Sequence, residues 1–133
     1  MSNHVSQAFA RRLEKSGVTV AEWAVMREMF DCEETAPSVL AERTGLTRGA
    51  ISKLIDRLLA KGLATRREAE VDRRFQEVAL TAAGRKLVPS LAALADANDE
   101  EFFRTLHARE REALITTLKK LALANGLHQM PID

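Results

Sequence analysis

A mainly α-helical chain with one small β-hairpin is what this sequence predicts, as a single domain over residues 1–133. Apolar residues recur at three- and four-residue spacing along most of it, in segments bounded by capping residues or glycine. Two short runs, LATRRE and FQEVALT, instead suit strands. In the second, Gln76, Val78 and Leu80 fall on one face by alternation. With 46% hydrophobic and 29% charged residues, the chain has the apolar mass for a sizeable core. No apolar run approaches the roughly 18 residues of a membrane span. MSNHVSQAFARR lacks the apolar segment of a signal peptide, so a cytoplasmic location is expected and no membrane partner. Cys32 stands alone, which rules out an intramolecular disulfide and fits a reducing compartment.

From Ser2 to Ser16, Val5, Phe9 and Leu13 recur at i, i+4 and i+8, a helix with a narrow apolar stripe that SGVT breaks. Thr19 and Glu22 form a capping box opening a second helix, with Trp23, Met26, Met29 and Phe30. That helix is apolar on more than one side, hence central. Pro37 suits the first turn of a short helix of about eight residues, and Gly45 its end, with Val39 and Leu40 inward. Thr47 is a good N-cap for the next helix, which closes at Lys61 and Gly62. Within it Ile51, Leu54, Ile55, Leu58 and Leu59 make a core-facing stripe. AEVDRR between the two strand-like runs holds no tight-turn glycine, so a longer hairpin loop is expected. Thr81 caps a long helix to about Leu106, with Leu87, Leu91, Leu94, Ala95, Asn98 and Phe102 along one side and a bend at Pro89. A final helix over about 108–124 carries Leu114, Ile115, Leu118 and Leu121, with Gly126 as its stop.

Charge is unevenly placed. Between Thr44 and Phe75 eight Lys/Arg stand against four acids, a local +4, which leaves −3 for the rest of a chain whose net charge is +1. A basic middle with acidic flanks suits a polyanionic partner. The two helices joined by RTGLT read as a helix-turn-helix, whose second helix presents its N-terminal residues to base edges in the major groove. Here those are Thr47, Arg48, Gly49, Ser52 and Lys53, with Asp56 and Arg57 further along the outward side. Cations and hydroxyls match guanine edges and phosphates, and glycine permits close approach. A hairpin directly after such a motif makes a winged helix, with its charged tip within reach of phosphates or a minor groove.

In order and spacing, VTVAEWAVM, PSVLAERTGLTRGAISKLIDRLLAKGL and DRRFQEVALTAAG resemble the MarR family of bacterial transcription regulators, across Val18 to Gly84. The family's wing pattern is met by Asp72, Arg74, Leu80, Thr81 and Gly84. This resemblance implies a homodimer on a pseudo-palindromic DNA duplex, the helix from Thr47 in the major groove and the wing over the minor groove. It makes Arg74 the wing-tip arginine braced by Asp72, and a narrow minor groove attracts arginine. Arg73 would meet a phosphate or solvent, and Ser38 a phosphate beside backbone amides. A winged helix needs only residues 18–81, so the amphipathic ends, 1–17 and 82–133, are expected to pair between two chains.

Cys32 lies beside Asp31, Glu33 and Glu34, whose charge disfavours a thiolate, so a structural cysteine is preferred over a thiol sensor. His4, His107 and His128 share no ligand spacing, and neither metal nor other cofactor is expected. Relatives bind small, often phenolic, effectors, and Phe9, Trp23, Met26 and Met29 are the candidate pocket here, with plain core packing as the alternative. Nothing supports catalysis. The expected function is a ligand-responsive repressor acting as a homodimer. The alternatives are a winged-helix protein-interaction module without DNA binding, or a thiol- or metal-responsive regulator.

Overall fold

The computed structural model describes residues 2–69 and 76–126. Asp72, Arg73, Arg74 and His128 lie outside them. Helices α1 (Ser2–Leu13), α2 (Val20–Phe30), α3 (Pro37–Thr44) and α4 (Arg48–Ala60) precede strands β1 (Ala64–Glu68) and β2 (Gln76–Leu80). Helices α5 (Ala82–Phe102) and α6 (Ala108–Ala124) follow. The chain divides into two compact units, residues 1–98 and 99–133. No helix among the described residues is long and apolar enough to cross a membrane.

In the first unit the expected stripes meet in one core. Ile51, Leu54, Ile55 and Leu58 of α4 are buried, and Leu59 is half-buried. They pack with Val25, Met26 and Met29 of α2, Leu40 of α3, and Val78 and Leu80 of β2. Thr19 and Glu22 form the expected capping box, which satisfies two orphan donors at the start of α2. α1 ends earlier than expected, with Glu14–Ser16 tightened into a 3-10 turn before Gly17. Phe9 and Leu13 of its stripe belong to this core, and Val5 is half-buried. Asn98 of α5, also buried, donates to the Val5 carbonyl at 3.3 Å.

β1 and β2 pair antiparallel, with Ala64 opposite Leu80 and Glu68 opposite Gln76. Thr35 exchanges two backbone hydrogen bonds with Val78, at 3.0 and 2.8 Å, so β2 is bonded on both edges. A one-residue bridge has no alternation to read, and sequence did not predict it. α5 runs through Pro89 and stops at Phe102 instead of Leu106.

In the second unit, Leu106 donates to the Phe103 carbonyl in a tight turn, and His107 opens a new helix. The His107 ring accepts from the Glu110 amide, and the Glu110 side chain accepts from the His107 amide. Histidine is an unusual N-cap, so this second capping box carries no ready signal in the sequence. On α6, Leu114, Ile115, Leu118, Leu121 and Leu123 are all exposed in the single chain.

Candidate nucleic-acid interface

The turn into α4 requires Gly45, whose φ of 75° is costly for any other residue, and its amide closes α3 on the Ala41 carbonyl at 3.0 Å. Two residues later the Thr47 hydroxyl accepts from the Ala50 amide at 3.1 Å. Helical geometry then sets two opposite stripes. Ile51, Leu54, Ile55 and Leu58 face the core, while Gly49, Ser52, Lys53 and Asp56 face out and are exposed, with Arg48 and Arg57 exposed beside them. At Gly49 an added Cβ would meet nothing closer than the Thr47 hydroxyl at 4.0 Å. No packing inside the protein demands a glycine there.

The basic segment is less available than its charge count suggests. Lys61 donates to both Glu22 carboxylate oxygens, at 2.7 and 2.8 Å, and to the Gly17 carbonyl at 2.6 Å. Arg66 pairs with Asp56 at 2.8 Å, and Arg67 pairs with Glu34 and, at 3.3 Å, with Glu77. By contrast Arg48, Lys53 and Arg57 form no ion pair among the described residues. Among the described residues of that segment, the cations left for an external anion are those on the outer side of α4.

Glu22 is fully buried. Burial by itself pushes its carboxyl up; hydrogen bonds from Lys61 and from Thr19, with the Lys61 charge, outweigh this and hold it below the usual glutamate value. The far end of α4 is thereby tied to the start of α2. At the other edge of the hairpin, the Arg67 guanidinium holds the Glu34 carboxyl below its usual range.

Ser38 is exposed in the first turn of α3, whose N-cap, Ala36, offers no side-chain acceptor to the amides there. Phe9 and Trp23 meet edge to face, 5.2 Å between centroids at 87°. Met26 and Met29 are closed from solvent in the same core. The Trp23 Nε1–H is buried without an acceptor among the described residues. Cys32 is half-buried, and Arg43 donates to its Sγ at 3.7 Å, a cationic neighbour from α3 that sequence adjacency concealed. Among the described residues no group of three His, Cys, Asp or Glu side chains is placed to hold a metal ion.

The model of the MarR family matches residues 16–74. Transcriptional regulator HosA of Escherichia coli O157:H7 is 30% identical over 108 residues, spanning 81% of this chain and 80% of its own length. Among solved structures, a mutant of E. coli MarR complexed with operator DNA superposes with a TM-score of 0.83 at 24% identity, over 90% of this chain and 86% of that one. Bordetella bronchiseptica BpsR, whose DNA binding is regulated by 6-hydroxynicotinic acid, gives 0.81 at 25% identity, over 91% and 92%.

Proposed function

Because this chain belongs to the MarR family of transcriptional regulators, we propose that it is a homodimeric, effector-responsive repressor that binds duplex DNA sequence-specifically through α4 and the wing. The observation that carries this reading is the outer side of α4, where Arg48, Lys53 and Arg57 are exposed and unpaired among the described residues. In the major groove Arg48 and Lys53 would take guanine edges or phosphates, and the Ser52 and Thr47 hydroxyls either base. Gly49 lets the helix backbone approach. Arg57 would meet a phosphate, as would Ser38 with the uncapped amides of α3. The wing roles of Arg74, Asp72 and Arg73 are carried over from the family pattern.

Binding should weaken linearly on a log–log salt plot, by about 0.9 in slope for each phosphate contacted. Arg48→Ala and Lys53→Ala are each expected to weaken binding about tenfold and to relax base preference, and Arg74→Ala is expected to weaken binding strongly. Fluorescence anisotropy on randomised duplexes reads both. A chain that binds no duplex at low salt is a protein-interaction module instead.

Homodimerisation is supported by the exposed stripe on α6, which rises from 37% exposure at Leu114 to 68% at Leu123. Leaving five large apolar side chains on one helix in water is unfavourable, and a two-fold partner covers them. Leu118→Asp is expected to raise the dimer dissociation constant at least about tenfold in sedimentation equilibrium, since a carboxylate in an apolar interface must be desolvated. Unchanged association would exclude α6 as the interface. The effector reading rests on Trp23, whose indole N–H beside Phe9 has no acceptor among the described residues, and an aromatic acid like the ligand of BpsR has the matching chemistry.

A further inference from the structure

The outward stripe of α4 contains one residue that does not suit a polyanion. Gly49, Ser52, Lys53 and Asp56 follow one another at i, i+3, i+4 and i+7, and Asp56 is the only acid in the helix. Its side chain is 61% exposed, so burial does nothing to neutralise it. A bare carboxylate one turn beyond Lys53 would repel the phosphates that Lys53 and Arg57 attract.

Arg66 is placed to prevent this. It sits at the centre of β1, opposite the buried Val78, so its backbone is held by the hairpin. Its side chain is only 29% exposed, and its Nε is buried without an acceptor among the described residues, so the stem lies packed. From there Nη2 donates to the Asp56 carboxylate at 2.8 Å. An ion pair this exposed contributes little to folding. Its larger effect is on the field that α4 presents and on the spacing between helix and wing.

We infer that Arg66 is a positioning residue for DNA binding, acting through Asp56 by cancelling and fixing the one carboxylate on the recognition stripe. The inference rests on the DNA-binding reading above. It assigns Arg66 no contact with DNA, which separates it from Arg48 and Lys53.

The test compares the full chain with its Arg66→Gln, Asp56→Asn and doubly substituted forms, by anisotropy on one labelled duplex. Glutamine keeps the packed stem, and thermal unfolding of each variant checks the fold. Arg66→Gln is expected to bind about fivefold more weakly, because an unpaired anion then faces the phosphates. Asp56→Asn binds at least as tightly as the parent, and the double variant returns to within about twofold of Asp56→Asn, since no anion is left to mask. A double variant as weak as Arg66→Gln overturns the proposal, because Arg66 then touches DNA itself. So does an Arg66→Gln variant with unchanged affinity. If the parent chain binds no duplex at low salt, the functional reading fails first, an outcome these variants do not imitate.

Discussion

Replacing Lys61 by alanine is expected to destabilise the first unit by about 2–3 kcal/mol at neutral pH, because it leaves the buried Glu22 carboxylate without its partner. The figure sits below the usual range for breaking a buried pair because the Lys61 side chain is 37% exposed, so solvent already screens part of the interaction. The effect has a characteristic pH dependence. In the parent, the Glu22 pKa is depressed in the folded state, so its contribution is present above the ordinary glutamate pKa and is lost as pH falls through the depressed value. In Lys61→Ala, burial dominates and the folded pKa rises above the unfolded one. The penalty is then largest at neutral pH and is relieved as pH falls toward the ordinary range and Glu22 protonates. Urea denaturation across that range should show the two stability curves converging on acidification. A difference that is constant with pH would mean that Lys61 acts by packing its stem and not by pairing Glu22.

Gly84→Ala is expected to cost roughly 2–4 kcal/mol, by overpacking against backbone. A Cβ there would lie 2.2 Å from the Leu63 carbonyl oxygen and 3.2 Å from Leu80 Cδ2. The same Leu63 carbonyl accepts the Thr81 amide at 3.0 Å, and the Thr81 hydroxyl donates to the Gly62 carbonyl at 2.8 Å. The first turn of α5 therefore lies directly on the backbone that ends α4, with no flexible side chain to give way. Gly49→Ala is the control: its Cβ meets open space, so the substitution should be neutral or add about 0.5–1 kcal/mol through helix propensity. Equal denaturation midpoints for the two variants would refute the close-packing account of Gly84.

The helices were legible because their signals are local. Thr19 with Glu22, Thr47, and the apolar spacing of Ile51, Leu54, Ile55 and Leu58 each lie within a few turns of chain, where 3.6-residue geometry converts spacing directly into a face. α5 stops short of Leu106 because the chain tightens into a turn there, with the Leu106 amide on the Phe103 carbonyl, and the Thr35 bridge was invisible because a single pairing carries no pattern. In the stripe of α1, Phe9 and Leu13 are buried in their own chain's core while Val5 is half-buried, a division that spacing alone does not show.

What the sequence by itself determined is the order of elements, the side of α4 that faces out, and membership of the MarR family. Only the tertiary structure decided which charges on and around that side are available. Lys61 is paired across 39 positions, Arg67 across 33 and Arg66 across 10, while Arg48, Lys53 and Arg57 are left open among the described residues. Charge is additive along a chain and can be counted there. Its cancellation depends on distances of a few ångströms between side chains from different elements, and those distances exist only once the core has packed.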